Sequence, residues 1–228
     1  MDITTLIKQI PLFKMLSEDT ITGLSASLRR LSLKQGQALF HKGDEGTALY
    51  IIKKGTIKIV LPSKIGDEII VTIFSAGDFF GEMALLDGEP RSADAIAIEP
   101  SEVFILKRND FLVFLQSNIN AIESILSLLS KRLRSTDELL EDTCFLNISV
   151  RLAKKLAELA SSHGQKEGDI VHINLSLTQK ELGDMIGATR ESINKELKIL
   201  REKNIIKLNE NKIQILDLDK LKHKYRQS

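Results

Sequence analysis

Two textures meet in this chain, and the contrast between them limits the folds open to it. Eight of the 13 glycines lie between positions 36 and 88, whereas neither glycine nor proline occurs from position 109 to position 147. The glycines separate short apolar or alternating runs at 38–40, 49–52, 56–61, 68–74 and 101–106, which predict β-strands joined by tight turns at 42–46 and 65–68. Many short strands at close spacing imply a small closed barrel or sandwich. Ahead of them, residues 3–30 show helical spacing. Leu6, Ile7, Ile10, Leu12 and Phe13 form one group, and Ile21, Leu24 and Leu28 form a second after the capping sequence Ser17-Glu18-Asp19. Behind the strands, Phe111, Phe114, Leu115, Ile122, Ile125, Leu129, Leu133, Thr136, Leu140 and Thr143 step by three and four residues. That stripe predicts one helix of about 35 residues, about 50 Å long at 1.5 Å per residue. Such a helix outruns a small barrel. A second copy of itself is the expected cover for its apolar stripe, and burial between two domains of one chain is the alternative.

The last third reads differently again. A helix at 149–161, a loop at 162–168 and a strand at 170–175 lead into two short helices. Runs at 205–208 and 213–216 around a turn at 209–212 then read as a β-hairpin. Thr178 and Glu181 form a Thr-x-x-Glu capping box for a helix at 179–186 with Leu182 and Ile186 on one face. Gly187 closes that helix, and Thr189 caps the next, at 190–201. The second helix buries Ile193, Leu197 and Leu200 and presents Arg190, Glu191, Asn194, Lys195 and Lys198. Its polar face suits a DNA major groove: Arg pairs with guanine O6 and N7, Glu accepts from cytosine N4, and Lys reaches phosphate or guanine. A solvated face of mixed charge is the plain alternative. Two capped helices, a glycine turn and a following hairpin together read as a winged helix-turn-helix. Gln179, Thr178, Thr189 and Ser192, at the two helix starts, join the candidate DNA-binding set. Charge follows the same division: residues 145–228 carry 16 Lys and Arg against 11 Asp and Glu, and residues 1–144 carry 16 against 20.

The glycine-rich third contains Gly81-Glu82-Met83-Ala84, followed by Pro90-Arg91-Ser92-Ala93. Backbone N–H groups around Gly81 and a short helix start can cradle an anion. Arg91 can pair bidentately with a phosphate, Ser92 adds a hydroxyl, and Glu82 can accept from a ribose hydroxyl. The remaining chemistry is sparse. Cys144 is the only cysteine, which excludes an internal disulfide and a four-cysteine cluster, and it is expected to be a buried packing residue. The histidines at 41, 163, 172 and 223 lack metal-ligand spacing, so no metal is expected. No nucleophile–base pair points to an enzyme. No apolar run approaches the ~18–20 residues of a membrane span, and the start lacks the basic and apolar regions of a signal peptide, so no membrane partner and a cytoplasmic location are expected.

Residues 177–195, Leu-Thr-Gln-Lys-Glu-Leu-Gly-Asp-Met-Ile-Gly-Ala-Thr-Arg-Glu-Ser-Ile-Asn-Lys, resemble the recognition motif of the cyclic AMP receptor protein/FNR family of bacterial transcription regulators. The run from Gly81 to Ala93 resembles the phosphate-binding cassette of cyclic-nucleotide-binding domains. The resemblance implies an α+β chain: an N-terminal β-roll (a double-stranded β-helix) over 1–109, a dimerisation helix and hinge over 110–146, and a winged helix-turn-helix over 147–228. It implies that Gly81, Glu82, Ala84, Arg91, Ser92 and Ala93, with Met83 among them, hold the ribose and cyclic phosphate of cyclic AMP. Arg190, Glu191 and Lys195 would read bases, although the best-known members carry Arg at the last of these. Lys131-Arg132-Leu133-Arg134-Ser135-Thr136-Asp137 resembles the segment that meets the purine base, with Arg132 and Thr136 at ligand-facing positions. Asp137 stands where cyclic AMP responders usually carry Ser or Asn. An ionised carboxylate only accepts hydrogen bonds, which suits the adenine amino group and disfavours guanine O6. The expected function is therefore a homodimeric regulator on a pseudo-palindromic promoter site, acting as an activator or repressor through RNA polymerase. A regulator that is ligand-independent or senses a 2-oxo acid or haem, and a regulatory subunit of an enzyme, are the alternatives.

Overall fold

The glycine-rich part of the chain builds more strands than the five expected runs. The computed structural model describes residues 3–13, 16–64, 66–209 and 212–226; Ile65 and residues 210 and 211, at two of the expected turns, lie outside them. The chain divides into two compact units, Met1–Arg134 and Ser135–Ser228. The first contains β1 (Arg29–Leu33), β2 (Ala38–Phe40), β3 (Ala48–Lys54), β4 (Thr56–Pro62), β5 (Glu68–Ser75), β6 (Phe79–Phe80), β7 (Asp94–Ala97) and β8 (Ser101–Lys107). They pair antiparallel in two four-stranded sheets, ordered β1-β8-β3-β6 and β2-β7-β4-β5. Leu33, Ile52, Phe80 and Val103 of the first sheet meet Ile57, Ala95 and Ala97 of the second in one buried cluster, which closes the sheets into a roll. Strands β1, β6 and β7 are additions to the expected set. Arg29 and Arg30 belong to β1 rather than to the preceding helix: they pair with Ile105 and Phe104 of β8, and Arg30 also reaches across the ladder to the carboxylate of Glu102.

A second core lies outside the roll. It joins α1 (Ile3–Gln9), a 3-10 turn (Pro11–Phe13), α2 (Glu18–Ser27), α4 (Arg108–Gln116) and the start of α5 (Ile119–Phe145) to Leu49, Ile51, Phe104 and Leu106 of β3 and β8. Between β6 and β7 a short helix, α3 (Met83–Asp87), adds Leu85 to it.

The single long helix expected from residue 109 onward is broken. Helices α4 and α5 meet at an angle of 113°. The Asn118 side-chain amide donates to the Phe114 carbonyl at 2.8 Å, taking the acceptor that Asn118 N–H would have used, and that N–H turns to the Leu115 carbonyl at 3.2 Å. The Asn118 carbonyl then accepts from Ala121 and opens α5. The expected apolar stripe divides accordingly: Phe111, Phe114, Leu115 and Ile125 are buried, Ile122 and Leu129 half-buried, and Leu133, Thr136, Leu140 and Thr143 exposed; Ile119 and Leu126, outside that stripe, join Leu133 and Leu140 in an exposed row at seven-residue intervals along α5. Cys144, in its last turn, is exposed rather than buried.

The second unit holds α6 (Ile148–His163), β9 (Gly164–Glu167), β10 (Ile170–Ile173), α7 (Gln179–Ile186), α8 (Arg190–Glu202), β11 (Ile206–Asn209), β12 (Lys212–Ile215) and α9 (Leu218–Arg226). Its antiparallel sheet is ordered β11-β12-β10-β9. Leu152, Leu156, Ile193, Ile215 and Leu221 are fully enclosed. The expected loop at 162–168 is the end of α6 and a strand, β9, paired with β10. Helix α9, absent from the expected set, packs on α6.

Candidate functional site

Two arginines and one glutamate organise the cassette. Gly81 has φ +84°, and a Cβ there would stand 2.7 Å from Arg91 Nη1, so position 81 requires glycine twice over. The loop after β2 is tied to the cassette by Gly43 N–H to the Arg91 carbonyl and Arg91 N–H to the Asp44 carbonyl, both 2.8 Å. Gly46 packs against Ala84, and a Cβ at Gly46 would lie 2.2 Å from the methyl group of Ala84. Arg91 itself is 4% exposed. It donates from Nη1 to the Gly81 carbonyl at 2.7 Å and from Nη2 to the Ala48 carbonyl at 2.6 Å, and its guanidinium lies 4.3 Å from the centre of the Phe40 ring. Burial lowers its pKa, against the pull of Tyr50, Glu82 and Asp44. The two terminal nitrogens expected to clasp a phosphate are therefore already hydrogen-bonded to backbone; Nε is buried with no hydrogen-bond partner.

Glu82 is 2% exposed. One carboxylate oxygen accepts from Arg132 Nη1 at 2.5 Å, and Arg132 also donates to the Phe79 carbonyl at 2.6 Å while its guanidinium sits over Phe74 and Phe79. The other oxygen, Oε2, is buried with no hydrogen-bond partner. Arg132, fifty residues away in sequence, thus joins the cassette. Ser92 is exposed, its hydroxyl 3.9 Å from the sulfur of the half-exposed Met83, and Ala93 is buried. Thr136 and Asp137 belong to the second unit, where both are exposed.

In the second unit the capping box is complete: Glu181 N–H donates to the Thr178 hydroxyl oxygen at 3.2 Å and Thr178 N–H to the Glu181 carboxylate at 3.0 Å. Thr189 caps α8 by accepting from Ser192 N–H at 3.2 Å, and its hydroxyl donates to that of Ser192. Both threonines thus shape the helix starts. Arg190, Glu191, Asn194, Lys195 and Lys198 are exposed, opposite buried Ile193, Leu197 and Leu200; Gln179 is half-buried. Gly187 ends α7 in the left-handed region at φ +63°. Two contributors to this turn escaped the sequence reading. Gly183 lies so close to the Ala188 carbonyl that a Cβ would stand 2.4 Å from its oxygen, and Arg151 of α6 donates to the Ile186 carbonyl at 2.5 Å. The signal for Gly183 was an unexplained glycine in mid-helix; Arg151 left none, because the contact spans 35 residues. Among the described residues no group of three or more His, Cys, Asp or Glu side chains is placed to hold a metal, and no single helix is long and apolar enough to cross a membrane.

A roll with a buried arginine–glutamate cassette, followed by a winged helix-turn-helix, defines a DNA-binding transcription regulator with a cyclic-nucleotide-binding type of domain. Residues 30–118 match the cyclic nucleotide-binding domain family, and residues 150–224 the Crp-like helix-turn-helix domain family. The chain is 30% identical over 215 residues to a CRP-like cAMP-activated global transcriptional regulator of Mycobacterium tuberculosis, covering 94% of this chain and 96% of that protein. It is 29% identical over 209 residues to the cyclic AMP receptor protein of Thermus thermophilus, covering 92% and 94% respectively. A solved CRP/FNR-family transcriptional regulator of Thermus thermophilus superposes with a TM-score of 0.72 at 25% identity, over 87% of this chain and 98% of that one. The c-di-GMP responsive regulator CLP of Xanthomonas campestris shares the fold, with a TM-score of 0.76 at 21% identity, over 87% and 99%. The chain belongs to the Crp/Fnr family of transcription regulators.

Proposed function

We propose that this regulator is a homodimer whose hold on promoter DNA is set by cyclic AMP. The observation that carries the effector is the pair of buried polar atoms without hydrogen bonds in one cassette: a donor, Arg91 Nε, and an acceptor, Glu82 Oε2. Buried polar groups are costly to leave unmatched. An anion beside a hydroxyl satisfies both, and the ribose and phosphate of a cyclic nucleotide present that combination. Gly81, Met83, Ala84, Ser92 and Ala93 would complete the contact, and Arg132 would hold Glu82 in place. Thr136 and Asp137 would meet the base, the Asp137 carboxylate accepting from the adenine amino group. The cyclic AMP-activated relatives support the same ligand. A regulator that is ligand-independent or senses a non-nucleotide ligand is the second reading, favoured by the carboxylate at 137 and by the engagement of both Arg91 terminal nitrogens.

Residues 1–109 would then form the sensor, 110–146 the dimerising helix and hinge, and 147–228 the DNA reader. The exposed heptad of Ile119, Leu126, Leu133 and Leu140 supports a parallel pairing of two α5 helices. Each copy would insert the N-terminal end of α8 into a major groove, with Arg190, Glu191, Asn194 and Lys195 at base edges and Lys198, Thr178, Gln179, Thr189 and Ser192 along the backbone, about 34 Å apart on a pseudo-palindrome. From that position in the cytoplasm the dimer would help or block RNA polymerase, and the chain is a regulator rather than an enzyme.

Titration calorimetry of the whole protein with cyclic AMP, paired with DNA binding with and without it, is the test. A heat of binding and a shift in DNA affinity are expected. No heat and no shift remove cyclic AMP while leaving the DNA reader standing.

A further inference from the structure

Arg151 is a half-buried cation that neither the cassette nor the base-reading face uses. It sits in the first turns of α6, and its Nη1 donates to the Ile186 carbonyl at 2.5 Å. Ile186 is the last residue of α7, so this carbonyl is one of those a helix leaves unsatisfied at its C-terminus, where the helix dipole also favours a positive charge. The next residue, Gly187, makes the left-handed turn into α8, and a Cβ there would lie 3.5 Å from the same Nη1 and 3.7 Å from the methyl group of Thr143. The turn is packed tightly on its inner side too: Ala188 N–H donates to the Gly183 carbonyl at 3.0 Å, and the Ala188 carbonyl fills the space a side chain at Gly183 would need. The guanidinium therefore holds the peptide through which α7 enters the turn that leads to α8.

We propose that Arg151 is a positioning residue for DNA reading: from α6 it fixes the angle at which α7 hands the chain to α8, and so the placement of Arg190, Glu191 and Lys195, without touching DNA itself. This rests on the assignment of α8 as the base reader. The effect should fall on discrimination rather than on general affinity. Phosphate contacts tolerate a loosely held helix, because charge attraction is broad in distance, whereas bidentate contacts to base edges do not.

The test uses the full-length protein, Arg151→Ala and Arg151→Lys. A duplex selected by the wild type from random sequence serves as the specific probe, and a scrambled duplex of the same length as the non-specific one. Hydrogen exchange of the Ala188 amide reports on the turn without DNA. Arg151→Ala is expected to bind the selected duplex about tenfold or more weakly, with scrambled binding and its salt slope unchanged and Ala188 exchange about ten- to hundredfold faster, as for loss of a charge-assisted hydrogen bond. Arg151→Lys, which keeps a cationic donor, should recover much of both. Unchanged discrimination with unchanged exchange overturns the proposal. A parallel loss on both duplexes that follows a drop in unfolding temperature also overturns it, since that is what a merely structural contact produces. If the wild type selects no duplex, the assignment of α8 as reader fails instead, and unchanged Ala188 exchange would still overturn the clamp.

Discussion

Glu82 and Arg91 are both almost fully enclosed, yet each keeps one polar atom without a hydrogen bond. Their first duties are architectural: Arg91 ties Gly81 to Ala48, and Glu82 holds Arg132. Substitution here therefore mixes two effects, and the mildest change is the most informative. Glu82→Gln keeps the shape but removes the charge, and it should weaken cyclic AMP binding about tenfold or more, on the scale of a hydrogen bond to a charged group; calorimetry against the wild type reads this directly. Gly81→Ala should unfold at lower denaturant, by about 1–3 kcal/mol, because it combines a left-handed backbone with a collision at Arg91. The types of these residues were legible in the sequence; their present partners were not. Nothing in Gly-Glu-Met-Ala says that Arg91 would turn to two backbone carbonyls, one of them 43 residues away.

At the level of elements, what the sequence revealed follows from what each element hides. The two helices of the reader were clear because capping and burial act within a few residues: α7 and α8 occupy 179–186 and 190–202, within one residue of their expected ends. Helix α9 was missed because charged residues dominate it, strand β1 because it is short and begins with two arginines, and both because their burial depends on partners distant in sequence, α6 and β8. The break at Asn118 was hidden because no glycine or proline marks it; side-chain bonds to backbone carbonyls close α4 instead. Thr189→Ala should destabilise the second unit by about 1 kcal/mol in denaturant unfolding, the cost of losing an N-cap. Asp142 pairs with Lys154 at 2.7 Å and joins the last turns of α5 to α6. Burial opposes the charge on Lys154, but Asp142, Glu158 and Glu138 outweigh it and raise its pKa. A raised lysine pKa contributes stability that is intact below the ordinary value of 10.5 and is lost as pH rises through the higher folded value. Asp142→Asn should accordingly flatten the alkaline fall of an unfolding curve taken across that range.

For the whole molecule, the exposed heptad on α5 and the polar face of α8 make separable demands. Leu133→Asp places a charge in the proposed pairing stripe, 63% exposed in one copy. It should convert a dimer to a monomer in sedimentation, and DNA affinity should fall because two half-sites are no longer engaged together. Wild-type binding should weaken steeply with salt, the slope of log K against log salt being about −0.9 for each phosphate neutralised, and Lys198→Ala should reduce that slope by about one per copy without altering sequence preference.

The turn between α7 and α8 has a consequence for divergence. Its shape is held by Thr178, Glu181, Gly183, Gly187, Thr189 and Arg151, while the residues of α8 proposed to meet base edges are Arg190, Glu191, Asn194 and Lys195, all exposed. Grammar and vocabulary occupy different residues. If α8 reads bases as proposed, a duplicated copy of this chain rewritten at these four positions gains a new address on DNA, with the frame that presents them left intact.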